Sequence, residues 1–142
     1  MKYKFSINED DIVSLKYKDK EFTFKTNVKL ISEMQSITME ARKRMIQDFA
    51  KNGQSIKDLV VETKKDGKTY FDNTNKLELE RIYQEELTLE FFNKKCIEYF
   101  NMDIATLMQD IGLETEDEGS KFSNDFIAYM SGNIPRGSTN KS

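Results

Sequence analysis

The sequence predicts an α+β fold, a small N-terminal antiparallel sheet of two or three strands packed on a mainly α-helical domain. Two successive rhythms and one feature of the composition predict it. In "KYKDKEFTFK", residues 16–25, apolar side chains fall at alternate positions, the period of a strand with one buried face. After Thr26 the rhythm changes: Val28, Leu30, Ile31 and Met34 recur at helical spacing, so a hairpin runs straight into a helix through a polar cap at Thr26 or Asn27. The 142 residues are 37% apolar and 33% charged, leaner and more charged than an average globular domain, which suits long helices with solvated outer faces. A chain of this length is one domain by default, expected over residues 1–130 with 131–142 as a flexible tail.

The elements follow in order. "YKFSI" places Tyr3, Phe5 and Ile7 on one face of a first strand, which the polar turn "NEDD" ends. Residues 12–17 and 21–25 form the hairpin, joined by "KDK" with no glycine to fix the turn, and the whole hairpin region spans 3–25. Two or three strands are not stable alone, so one face must pack on a helix. From 27 to 51, Leu30, Met34, Ile37, Ala41, Met45 and Phe49 advance by three or four residues along one long helix or two in line, with Ser36 and Thr38 as the candidate break. "NG" at Asn52 and Gly53 ends it.

The segment 54–72 reads two ways. Ser55 with Asp58 three residues on is a capping-box pattern for a short helix ending near Gly67, whereas "VVET" and "KTYF" around "KDG" are a second hairpin. The helix is the reading taken here. Residues 76–101 are helical in period, with Leu79, Ile82, Tyr83, Leu87, Phe91, Ile97 and Phe100 in or near one stripe and Thr88 as a candidate division. Asp103 caps a helix over 103–111 that Gly112 ends, and after the acidic connector "ETEDEG" a last amphipathic helix covers 120–130.

The chemistry is defined mainly by what the chain lacks. It contains no histidine, which removes the commonest general base, the Ser-His and Cys-His pairings and every imidazole metal site. With Cys96 the only cysteine there is no intrachain disulfide and no thiolate zinc cage; its setting in "FFNKKCIEYF" predicts a small core hydrophobe. The six glycines never fall into a phosphate-binding motif and sit at turns and termini. Glu85 and Glu86 are adjacent on a helix and do not share a face, and "ETEDEG" lacks the ordered oxygens of a calcium loop. The expectation is therefore no catalytic residue, no cofactor and no metal. Met1 is followed by a charged alternating strand and no apolar run reaches 18 residues, so no leader, no membrane partner and a cytoplasmic protein are expected.

Protein partners are the remaining class. Arg42, Lys43, Arg44 and Lys51 do not converge on one helix face, which argues against nucleic acid. Residues 1–51 carry 11 basic and 8 acidic side chains and residues 73–130 carry 5 and 13, an asymmetry that a solvated face explains and that also suits self-association or a basic partner. Doublets such as Phe91–Phe92 and Tyr99–Phe100, with Met102 and Met108, widen the apolar surface of the C-terminal helices; Phe92, Tyr99, Met102 and Met108 are the expected partner-binding residues.

The order of elements, and above all "KDKEFTFKTNVKLISEMQ" with its hairpin followed at once by a helix, resembles the tail assembly chaperones of long-tailed bacteriophages and prophages of low-GC Gram-positive bacteria. The local wording is similar over residues 20–35 and the outline over 3–130. The resemblance implies a non-enzymatic helper that self-associates, binds the aggregation-prone helical tape measure protein and assists tail tube assembly. It also implies a longer frameshifted form, with which "SGNIPRGSTNKS" is compatible. It carries no fixed functional residues. The competing expectation is a small acidic interaction protein that inhibits a basic nucleic-acid-binding partner.

Overall fold

The computed structural model describes residues 2–137. Its α+β architecture comprises a three-stranded antiparallel sheet, a separate two-stranded hairpin and five α-helices. The chain divides into two compact units, one made of residues up to 35 together with those from 91 onward, the other of residues 36–90.

In the first unit, β1 (Lys4–Ile7), β2 (Ile12–Tyr17) and β3 (Lys20–Lys25) form a meander in the order β1-β2-β3. Phe5 pairs with Leu15 and Ile7 with Val13, while Val13 pairs with Phe24 and Leu15 with Phe22, so the alternating apolar residues share one face. A one-residue slip would expose all of them, which fixes the register despite the glycine-free turns. Those turns are built otherwise. Asn8 Oδ1 accepts from the Asp10 and Ile12 amides at 2.9 and 3.0 Å, and Lys18 supplies a positive φ of 51° between β2 and β3.

Helix α1 (Val28–Gln35) starts at Asn27, whose Oδ1 accepts from the Leu30 amide at 2.8 Å. Thr26 is buried and donates instead to the Met130 carbonyl at 2.7 Å. Within the first unit the C-terminal part of α3 (Thr74–Phe100), α4 (Ile104–Ile111) and α5 (Glu116–Ser131) complete the core with the sheet and α1. Phe126 is its hub: wholly buried, it has the rings of Phe5, Phe24, Phe92, Phe100 and Phe122 within 6.2 Å, centre to centre. Asp103 caps α4 by accepting from the Thr106 amide at 2.8 Å, and Gly112 ends it at φ 95°.

Three expectations change here. The acidic connector is largely the first turn of α5: Thr115 accepts from the Glu118 amide at 3.1 Å, and Glu116, Asp117 and Glu118 lie where a helix N-terminus favours negative charge. Gly119 is therefore a helix residue and not a turn glycine. The expected tail from 131 is docked through residue 137. Arg136 Nε meets Asp11 Oδ1 at 2.6 Å, and the Gly137 amide donates to the Ile7 carbonyl at 2.8 Å. Residues 138–142 of that expected tail lie outside the described residues.

The second unit holds α2 (Ile37–Lys51), a single 3-10 turn (Ile56–Leu59), the hairpin of β4 (Val61–Lys65) and β5 (Lys68–Asp72), and the N-terminal part of α3. The run 27–51 is thus two helices, interrupted at Ser36. The helix expected between Ser55 and Gly67 is not formed. Ser55 and Asp58 do make a capping box, but it closes only the 3-10 turn. β-Branched Val60 and Val61 then enter a strand, and Asp66 and Gly67, at φ 54° and 74°, form the two-residue turn that twisted strands prefer. Thr88 does not divide α3; its hydroxyl donates to the Gln84 carbonyl at 2.7 Å inside a continuous helix.

Candidate interaction surface

The four residues expected to meet a partner belong to the margin of the first unit's own core. Phe92 is 6% exposed and packs against Phe91 and Phe126. Tyr99 stacks on Phe24 at 4.3 Å between centroids, and Met102 and Met108 are half-buried against the same core. A Cβ built on Gly119 would lie 3.6 Å from Met108 Sδ, an ordinary van der Waals contact, so α5 packs beside Met108 with room for a methyl group. The aromatic doublets are accounted for in the same way. Phe24 covers Tyr99 and lies with Phe126 around Phe100, while Phe126 also meets Phe92; this stretch of α3 is packed on more than one side.

Sequence reasoning passed over Lys95, which is buried beside Cys96. Its ammonium lies 3.0 Å from Glu33 and 3.1 Å from Glu98, with the rings of Phe91 and Tyr99 at 5.5 and 5.7 Å. Burial works to remove its proton, but the hydrogen bonds to the two carboxylates prevail and the pKa is raised. Glu33 is held below the usual range by its hydrogen bond to Lys95. Burial, with Asp103 adding to it, pushes the Cys96 thiol up to about 12. A lysine kept charged and a thiol kept protonated have the wrong ionisation for nucleophilic attack at neutral pH.

The exposed apolar surface lies elsewhere. Among the described residues, only Ala41 and Met45 of the 19 buried hydrophobic residues belong to residues 36–90, yet eight of the eleven large hydrophobics left exposed are there. Each strand of the 61–72 hairpin is solvent-exposed along its whole length, including Val61, Tyr70 and Phe71 at 48, 52 and 67%. On α3, Leu77, Ile82 and Leu89 are exposed, while Leu79, Tyr83 and Leu87 turn half inward. A groove of about 430 Å³ lies where Ile46 and Ala50 of α2 meet Ile56 and Val60, and Lys57 and Lys76 also line it.

Polar links hold this unit together in place of a core. Tyr83 donates to Asp48 at 2.7 Å, a bond that, with burial, raises the phenol to about 12. Arg44 forks onto Glu90 at 3.0 and 3.2 Å, Arg42 faces Glu80 at 3.4 Å, and Arg81 bridges Glu78 and Glu85. Exposed pairs of this kind contribute little each, so the unit leans on few apolar contacts. The signal was present in the sequence as Leu77, Ile82 and Leu89, but the periodicity of α3 places Ile82 in its stripe and leaves Leu77 and Leu89 out of account.

Among the described residues no helix is long and apolar enough to cross a membrane, and no cluster of three ligand side chains could hold a metal ion. Comparison of the chain with protein-family models, curated proteins and solved structures returns no match.

Proposed function

We propose that this protein is a non-enzymatic assembly chaperone of the phage tail type, which holds an aggregation-prone helical partner, a tape measure protein, against the apolar surface of residues 36–90. One observation carries the reading: the unit with almost no core of its own holds most of the large hydrophobic side chains that are left exposed among the described residues. A long amphipathic helix meets such a surface through apolar residues every three or four positions, and the Ile46–Ile56–Val60 groove has room for one or two of them. Lys57 and Lys76 at that groove would favour acidic residues beside the partner's apolar stripe. The first unit, with its aromatic core, is the stable platform.

The alternative, an acidic inhibitor of a nucleic-acid-binding protein, has less support, because a nucleic-acid mimic needs unpaired carboxylates. Here Glu78, Glu80, Glu85 and Glu90 of α3 all lie against arginines. Co-expression with a tagged tape measure protein from the same genome tests the proposal. The chaperone should co-purify and raise the partner's solubility, and Ile46→Asp should abolish both while Ile97→Asp, an exposed site in the other unit, retains them. Absence of co-purification, or equal retention by both variants, overturns it.

A further inference from the structure

We infer that two copies of this chain pair through the outer edge of β5, antiparallel and centred on Tyr70, to join their hairpins into a four-stranded sheet of order β4-β5-β5-β4. A two-stranded hairpin with both faces in water is marginal by itself, and neither face of this one is covered. The edge of β5 is also undefended, with no proline, no bulge in its pairing and no lysine at its centre.

Hydrogen-bond parity fixes the register. The two-residue turn at Asp66 and Gly67 closes on a hydrogen-bonded pair, Lys65 and Lys68. Counting by twos, Lys68, Tyr70 and Asp72 turn their peptide groups toward β4. Thr69 and Phe71 turn theirs outward. A second β5 centred on Tyr70 sets Thr69 opposite the other copy's Phe71 as a hydrogen-bonded pair, twice over, which satisfies all four outward amides and carbonyls.

The side chains agree with that register. Lys68 comes opposite the second copy's Asp72 at both ends, and the two Tyr70 rings meet at the centre. Residues "KTYFD" thus read as a charge palindrome, opposite in sign at the two ends and apolar between. Pairing of two β4 edges about Thr63 would match Glu62 with Lys64, but it sets Lys65 opposite Val61 at both ends and brings no aromatic residue to the seam, so that edge fits less well. The interface is small, so association should be weak, with a Kd on the order of 100 µM. This inference stands on the β5 edge and not on the chaperone reading; dimerisation and partner capture are read by separate measurements.

The test is sedimentation equilibrium of the full chain from about 10 µM to about 1 mM, with far-UV circular dichroism to check folding. The wild type should dimerise, and Thr69→Pro, which removes an outward amide without disturbing the β4 ladder, should abolish it. Lys68→Glu and Asp72→Lys should each weaken association by about tenfold alone and recover it when mixed, because the mixed dimer restores opposite charges at both ends. Tyr70→Cys should form a disulfide dimer under mild oxidation, whereas Thr63→Cys should not; Cys96 is buried and does not compete. A monomer at every concentration, a dimer indifferent to Thr69→Pro, or equal crosslinking at both cysteines overturns the inference.

Discussion

Replacing Phe126 by alanine and, separately, Phe71 by alanine makes the sharpest contrast in this molecule. Phe126 is fully buried among five other aromatic rings, whereas Phe71 is 67% exposed. Truncating a buried phenylalanine costs about 3–5 kcal/mol in lost transfer energy and cavity. The ring geometry around Phe126 places it at the upper end, since each well-oriented aromatic pair is worth roughly 0.5–1.5 kcal/mol beyond its area. A domain with a total stability of about 5–15 kcal/mol would be left with a small remainder or none. Phe71→Ala should change stability by no more than about 0.5 kcal/mol, because an exposed side chain leaves no cavity behind. Urea unfolding followed by far-UV circular dichroism, at low micromolar concentration where the chain is monomeric, reads both values. Equal losses in the two variants would refute the division between a cored unit and an exposed hairpin.

Other expectations follow from single contacts. Gly119→Ala should stabilise the protein by up to about 1 kcal/mol in a thermal melt, because the residue is helical and the added methyl meets Met108 Sδ at an ordinary 3.6 Å. Cys96 should resist a thiol reagent at pH 8 in the native state and react at once in denaturant, as its buried thiol has a pKa of about 12; rapid native labelling would contradict the burial. The Lys95 cluster sets a pH dependence. Glu33 is depressed below its ordinary 4.5, so its contribution is present above that value and fades as pH falls through the lower folded pKa. Lys95→Met should flatten that acid limb of stability against pH, and an unchanged limb would show that the pair does not matter energetically.

Much of the first unit was legible in the sequence because its patterns are local. Strand alternation marks the buried face of Tyr3, Phe5, Ile7, Leu15, Tyr17, Phe22 and Phe24, while the register that pairs Phe5 with Leu15 and Val13 with Phe24 comes from the structure; cap chemistry points to Thr26 or Asn27, of which Asn27 is the cap, and to Asp103 and Gly112. The segment 54–72 was misjudged because its capping box is real but short; it closes one 3-10 turn, and the paired positive φ values at Asp66 and Gly67 then decide for a hairpin. Thr115 was missed as the cap of α5 because a run of carboxylates resembles a solvated connector until a helix dipole is placed behind it. The candidate surface was least legible. Surplus apolar residues were sought where they are densest in the sequence, around Phe92 and Tyr99, but density marks a core packed on several sides. The exposed ones are sparse and interleaved with charge, as at Leu77, Ile82 and Leu89, and only the distribution of burial separates them from a core stripe.

Amide hydrogen exchange on the full chain, alone and co-purified with a tape measure protein, tests the central claim most directly. The account predicts fast exchange of residues 56–72 in the free protein and slow exchange of the core strands and α5, with partner-induced protection concentrated at 46–60 and along 77–89. Protection gained at 92–108 with none in 36–90 would contradict it, and would return the binding surface to the residues that the structure places in the core.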